Sequence, residues 1–331
     1  MPIPKEILYL TEAEVQQTLT VAEAVDLAER GIKADAAGQV NGDKFYMDVG
    51  EDGFIKPFSG FLAGEEYAFV KTFSYFPINS QKYHRPTTSS MVILLDAETG
   101  LPACFMEAGW VTGLKTASST AVTTAYLARP ESDNVTIFGA GTLGRLHLLA
   151  TAQRFKLKQA YFVDILPDVA QACAAELEPL LGFPVKAVTL EDREEAVRKS
   201  DVIFTVTTGN QALFEHSWVK PGTFIARLGS YQEVALDVIT NADKVVVDNW
   251  RYVSPRIPEI IQLVLEGRFS GEQIYGTWTD IVGGRIPGRE SADEVIVYIA
   301  LGIWGEYAAI LPEVFRRAKF MGLGQGLPSS H

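Results

Sequence analysis

The sequence predicts an α/β protein whose central feature is a doubly wound, Rossmann-type parallel sheet. Three observations predict it. Short apolar runs alternate with helical stretches from about residue 130 onward. A glycine-rich turn, Gly139-Ala140-Gly141-Thr142-Leu143-Gly144, stands directly between a β-like run and a helical run. Asp164 closes the next β-like run, 20 residues beyond Gly144.

Taken in order, residues 11–37 have helical spacing, with Val21, Ala24, Val25, Ala28 and Ile32 on one face. Thr20 and Glu23 form a capping box at its start. β-Like runs follow at 44–49, 67–76 and 89–95, separated by Gly, Asn and Pro. Residues 115–128, rich in Ala, Thr and Ser, predict a helix that admits close backbone approach, and Pro130 ends it. Strands are predicted at 135–138, 160–163, 186–189, 202–206, 223–228 and 244–247, with helices between them. Apolar strands joined by helices belong to a parallel sheet covered on both faces. A last helix over roughly 300–318 precedes a Gly-rich tail, which is predicted to be loose.

Composition bounds the function. The chain has 331 residues, 47% hydrophobic and 21% charged, which suits two ordinary domains. Its net charge of −12 opposes binding to a phosphate backbone, so no nucleic-acid partner is expected. Cys104 and Cys173 lie far apart in apolar surroundings, which excludes a disulfide framework and points to a reducing, cytoplasmic home. No membrane span is expected, and the N-terminus lacks the pattern of a signal peptide. His147 and His216 are isolated, no HExxH-like spacing occurs, and a catalytic metal is not expected.

The glycine turn carries the most chemistry. Gly139 permits a tight turn, Gly141 lets a pyrophosphate approach the backbone, and Gly144 lets helix and strand pack closely. Thr142 and Leu143 lie within this turn, ahead of a helical run from Arg145 to Gln153 whose N-terminus faces the phosphates. Asp164 suits ribose hydroxyls and repels a 2′-phosphate, which favours NAD over NADP. Val206 and Thr207, after the run Val202 to Phe204, stand where such sheets bind ligands.

Further segments extend the pattern over nearly the whole chain: Lys44-Phe45-Tyr46-Met47, Val70-Lys71-Thr72, Pro86-Thr87, Leu95-Asp96-Ala97-Glu98-Thr99-Gly100-Leu101-Pro102, Thr112-Gly113-Leu114-Lys115-Thr116-Ala117 and Pro287-Gly288-Arg289-Glu290-Ser291. With the glycine turn, these resemble the ornithine cyclodeaminase/mu-crystallin family, which includes archaeal-type alanine dehydrogenase and ketimine reductases. The resemblance implies a substrate-binding and dimerisation domain over 1–122, completed by 301–331, with a Rossmann domain over 123–300 inserted in it. It implies a homodimer, and an imino or oxo acid as small-molecule substrate. It also implies that Lys71, Lys44 and Lys115 hold the substrate carboxylate and that Thr116 opens a helix facing the cofactor. Each lysine by itself also suits a surface side chain laid along an apolar stretch.

Three departures from the family pattern shape the expected reaction. Lys115 stands where most members have Arg, trading a planar fork for a movable point charge. Tyr231 stands where cyclodeaminases carry a catalytic Asp, and Glu233 is the nearest substitute. Tyr231 is a candidate proton donor or simply a packed tyrosine. His84 and Arg85, in a segment usually less basic, are candidates for a second carboxylate, as iminosuccinate would require; a solvated loop is the plainer reading. Together these imply NAD-dependent reduction of a 2-imino acid. A cyclodeaminase using Glu233, and an NAD(P)H-binding protein with little turnover, are the alternatives.

Overall fold

The computed structural model describes residues 6–50 and 53–329. Residues 1–5, part of the segment in which no signal peptide is read, lie outside the described residues. The chain divides into two compact units, Met1–Lys115 with Ile303–His331, and Thr116–Gly302. The division falls ahead of residue 122, inside the unbroken helix Gly109–Leu127. No Gly- or Pro-rich linker marks it.

The discontinuous unit is built on an eight-stranded sheet among the described residues. Its order runs Gln325–Pro328, Glu6–Leu10, Pro102–Glu107, Thr88–Asp96, Tyr67–Tyr75, Gly53–Leu62, Val40–Lys44, and Met47–Val49 also pairs with Gly53–Leu62. The Glu6–Leu10/Pro102–Glu107 pair is parallel and the others antiparallel. The β-like run 44–49 is thus two short strands, broken at Phe45-Tyr46. The long strand Gly53–Leu62 escapes a sequence reading because Lys56, Pro57, Ser59 and Gly60 interrupt its apolar pattern. The tail is not loose: Gly322 and Gly324, both at positive φ, turn the chain so that Gln325–Pro328 pairs with Glu6–Leu10.

Two helices accompany this sheet. The helical run 11–37 is split into Glu12–Val15 and Val21–Ala36, and Thr20 caps the second, accepting from the Glu23 amide at 3.3 Å while Glu23 accepts from the Thr20 amide at 2.9 Å. Helix Gly305–Met321 packs on the sheet through Tyr307, which meets Phe58 and Phe69. The two helices touch backbone to backbone: a Cβ on Gly31 would stand 2.5 Å from the Gly305 carbonyl oxygen and 2.8 Å from the Glu306 Cα.

The continuous unit holds eight parallel strands among the described residues, in the order Val185–Val188, Gln159–Val163, Asn134–Phe138, Val202–Thr205, Phe224–Arg227, Ile296–Ile299, Lys244–Val247, Gly276–Thr277. Four of these are buried along their whole length; Val202–Thr205, Phe224–Arg227 and Lys244–Val247 read as apolar runs for that reason, and Ile296–Ile299 was not predicted. Strand order reverses between Asn134–Phe138 and Val202–Thr205, the place where doubly wound sheets take ligands. Among the described residues no helix is long and apolar enough to cross a membrane.

Gly31→Ala is expected to cost about 1–3 kcal/mol by overpacking. Thermal unfolding checks it, and an unchanged midpoint would show that the helices can separate freely.

Candidate active site

The glycine turn has the geometry its spacing predicts. Gly139 has φ +102°, and a Cβ there would lie 2.8 Å from the Val206 carbonyl oxygen. A Cβ on Gly144 would lie 2.0 Å from the Gly139 carbonyl oxygen. Gly141 differs: a Cβ there would meet nothing within 4 Å. This open space lies at the start of helix Thr142–Thr151, where Gly141 is the N-cap and brings no capping side chain. The first amides of a helix have no carbonyl partner within it. Room, donors and the positive helix end together fit the pyrophosphate of a dinucleotide.

Asp164 is part of the same turn. Its Oδ2 accepts from the Ala140 amide at 2.8 Å and its Oδ1 from the Leu166 amide at 2.9 Å. Val206 and Thr207 continue the neighbouring strand, with the Val206 amide donating to the Phe138 carbonyl.

A buried polar network shapes the far side of this strand end. Glu233 is fully buried and accepts from the Thr207 amide (2.7 Å), the Thr207 hydroxyl (2.9 Å), the Thr205 hydroxyl (2.7 Å) and the Gly229 amide (2.7 Å). A carboxylate with both oxygens so occupied is a structural clasp and not a stand-in for the missing aspartate. Arg227 and Glu259, both fully out of solvent, form a two-bonded pair at 3.0 and 3.2 Å. Arg227 also donates to the Gly229 and Tyr231 carbonyls, and Glu259 accepts from the Glu233 and Val234 amides at 2.8 and 3.1 Å. The loop that carries Tyr231 is therefore held by its backbone. This network was not predicted, because its charges stand apart in sequence: Arg227 at a strand end, Glu233 in the loop after it and Glu259 in the helix Pro258–Leu265.

In the discontinuous unit the three predicted lysines come together. The register places Lys44, Phe58, Lys71 and Val92 side by side on one face, with Lys56, Phe73 and Ser90 forming the next row. Lys71 is 0% exposed, Lys115 2% and Lys44 3%. The Lys71 ammonium lies 5.3 Å from the Phe58 and Phe73 ring centres and 5.1 Å from that of Tyr307, and donates to Ser90 Oγ at 3.3 Å. It has no carboxylate partner among the described residues. Burial, assisted by the charge of Lys115, pushes its pKa down to about 7. Lys115 has a counter-ion in the fold, Glu306 at 3.0 Å, and lies 4.8 Å from the Tyr307 ring centre. The Lys44 ammonium is 5.4 Å from the Phe58 ring centre.

Other predicted positions resolve differently. Thr116 does not open its helix, which begins at Gly109 and holds Thr116 about two turns inside. The small-residue run reads as the start because Gly109, Trp110 and Gly113 hide the first turns. His84 and Arg85 are exposed, His84 at φ +51°, after the helical turn Asn79–Tyr83. His147 is buried between the Leu143 carbonyl and the Thr120 hydroxyl, and burial pushes its pKa down to about 4. Cys104 and Cys173 are buried free thiols. The segment Pro287-Gly288-Arg289-Glu290-Ser291 buttresses a helix end: Arg289 donates to the Leu127 carbonyl at 2.8 Å, and a Cβ on Gly288 would lie 2.4 Å from the Tyr126 carbonyl.

The fold and the glycine turn define a Rossmann-like, dinucleotide-binding class of α/β protein. Comparison with known proteins narrows it: the pattern of the ornithine cyclodeaminase/mu-crystallin family matches residues 5–320, and the chain belongs to that family. N-((2S)-2-amino-2-carboxyethyl)-L-glutamate dehydrogenase of Staphylococcus aureus is 31% identical over 75% of this chain and 74% of its own length. Alanine dehydrogenase of Archaeoglobus fulgidus is 28% identical over 96% and 97% of the two chains. Among solved structures, Δ1-pyrroline-2-carboxylate reductase of Thermococcus litoralis, in complex with NADH and L-proline, superposes with a TM-score of 0.91 at 27% identity. That match covers 97% of this chain and 100% of the other. An archaeal alanine dehydrogenase dimer with bound NAD gives a TM-score of 0.89 at 27% identity, covering 97% and 99%.

Two substitutions separate binding from folding. Gly141→Val is expected to keep the melting temperature while weakening NADH binding about tenfold or more, because its side chain fills only the open space. Gly144→Ala is expected to destabilise by about 1–3 kcal/mol. Fluorescence titration with NADH and thermal unfolding read the two effects. Lys71→Met is expected to raise the stability at neutral pH by about 1–3 kcal/mol, since it removes a desolvated ammonium of similar length; a lower melting temperature would refute this account of the site.

Proposed function

We propose that this protein reduces 2-imino acids to amino acids with NADH. The observation that carries the proposal is Lys71, a desolvated ammonium without a carboxylate partner among the described residues, set among aromatic faces. Such a group awaits an anion. A substrate carboxylate supplies the missing charge, and Lys44 adds a second cation in the same row of the sheet. Lys115, already paired with Glu306, contributes position more than charge.

The open space at Gly141 and the clasp of Asp164 support a dinucleotide, and the carboxylate of Asp164 supports NAD over NADP. Thr116, Val206 and Thr207 are assigned to the same cofactor. When bound, the cofactor supplies a hydride. The protein's share is modest, because a protonated imine is already an electrophile: it holds the carboxylate, orients the C=N carbon and excludes water. Tyr231 is assigned as the hydrogen-bond donor to the nitrogen. The cyclodeaminase reading needs a free carboxylate in that loop, and Glu233 is fully engaged.

We further assign a homodimer and a cytoplasmic location. Phe45, in the break between two strands, and Met47 are exposed, at 60% and 44%, and the archaeal alanine dehydrogenase of like fold is a dimer. The buried free thiols suit a reducing compartment.

The test is NADH consumption with a panel of 2-oxo acids, with and without ammonia or methylamine. Turnover only with amine present is expected; tight NADH binding without turnover on any imine would favour a binding protein. The pH dependence has a definite sign. Lys71 is an ammonium below about pH 7 and neutral above it, so the Kd of a 2-oxo acid for the NADH complex is expected to be level at lower pH and to rise as pH passes about 7. In Lys71→Met the binding is weak and this rise is absent.

A further inference from the structure

We propose that Lys71 is an amine nucleophile as well as an anion-binding group: it condenses with the carbonyl of a 2-oxo acid to form a Schiff base and passes the imine carbon to an incoming amine. This goes beyond the reductase reading, because it adds a covalent step that makes the imine. The Lys71 side chain is wholly out of solvent, with its nitrogen 5.3 Å from the Phe58 and Phe73 ring centres and 5.1 Å from that of Tyr307. Its hydrogen bond goes to a neutral partner, Ser90 Oγ, at 3.3 Å. A second cation stands on the same ring, since Lys115 lies 4.8 Å from the Tyr307 centre. Desolvation and a neighbouring like charge are the two influences that turn a lysine into a nucleophile at neutral pH. Both act here and bring the pKa down to about 7. The other ionisable groups around it are Lys44 on the Phe58 ring, Lys56 on the Phe58 and Phe73 rings, Glu306 against Lys115, and the Tyr307 phenol, whose pKa burial raises.

The two roles follow one another on the same molecule. As an ammonium, Lys71 attracts the carboxylate of a 2-oxo acid. The carbonyl carbon lies one bond, about 1.5 Å, from that carboxylate, so capture brings it within reach of the same nitrogen. Once the nitrogen has lost a proton, its lone pair attacks the carbonyl carbon and a carbinolamine forms. The Ser90 hydroxyl, in contact with the nitrogen, relays a proton from it to the carbinolamine oxygen. The C–O bond then breaks, water leaves and a protonated imine remains. The sum is ammonium plus oxo acid to iminium plus water, with no oxidant or reductant. An incoming amine adds to the same carbon, the bond to Lys71 breaks, and Lys71 departs as the free amine while the new imine carries the proton. The iminium keeps a positive charge where the ammonium stood, on the same three rings.

The test traps the Schiff base with cyanoborohydride, using glyoxylate and pyruvate without NADH, and locates the label by peptide mass mapping. At pH 7 an ordinary lysine is neutral to about 1 part in 2,500 and one with a pKa near 7 to about one half, a difference of about 10³. Labelling of Lys71 is expected to exceed that of the exposed Lys158 and Lys186 by about tenfold or more. At low oxo-acid concentration its rate is expected to peak near pH 7, because protonation disables the amine below that pH and loss of charge weakens capture above it. Exchange is read separately, as semicarbazone formation from pyruvate and semicarbazide. The wild-type protein is expected to accelerate it over the protein-free mixture. Lys71→Arg, which keeps a cation that does not condense, is expected to lose both the label and the acceleration, and wild-type protein already blocked at Lys71 by trapping is expected to lose the acceleration likewise. Label spread over exposed lysines with Lys71 unmodified, or a Lys71 rate that climbs steadily to pH 9 and beyond, would overturn the nucleophile. A labelled Lys71 with no acceleration would overturn the exchange. Since NADH is absent throughout, failure of the reductase reading shows apart from these outcomes, as no NADH consumption when amine is added.

Discussion

An ammonium group removed from water without a counter-charge is the constraint on which the discontinuous unit depends. Lys71 is enclosed by Phe58, Phe73 and Tyr307, and Tyr307 reaches it from a helix some 230 residues further along the chain. Ring faces offset part of the desolvation cost through their quadrupoles but do not replace hydration. The fold therefore holds a cation in a state it would leave by losing a proton, and the lowered pKa expresses that tension. Binding an anion relieves it. Stability and charge pull in opposite directions at this residue.

The continuous unit solves the opposite problem. Its buried charges at the strand ends, Glu233, Arg227 and Glu259, are met by hydrogen-bond partners within the fold, so they act as fasteners. Glu233 joins two strand ends through the hydroxyls of Thr205 and Thr207 and the amides of Thr207 and Gly229. Arg227 and Glu259 then grip the loop backbone from below. The effect is to hold Thr207 and the Tyr231 loop in one geometry at the carboxyl ends of the sheet, beside the glycine turn.

Much of the fold was legible in the sequence. The glycine turn, the parallel strands from 134 to 247 and the Thr20 cap all depend on local chemistry: positive φ, apolar runs and side-chain capping. The strands Gly53–Leu62 and Gln325–Pro328 were not legible, because their partners, and not their own residues, make them strands. The start of the helix Gly109–Leu127 was misplaced for a related reason, since glycine-containing turns are stabilised there by packing that no local pattern records.

By itself, the sequence determined the nucleotide turn, its acid and the three lysines that the family pattern marks, because each is written in residue type and spacing. Only the tertiary structure decided which charges stand in need of a partner. Lys71, Lys115, Arg227 and Glu233 are alike as isolated ionisable residues. Burial and register separate them: Lys115 is paired with Glu306, Arg227 with Glu259, Glu233 is saturated by four donors, and Lys71 is left among rings. Solvation and neighbours are three-dimensional quantities, and they set the chemistry of a charge.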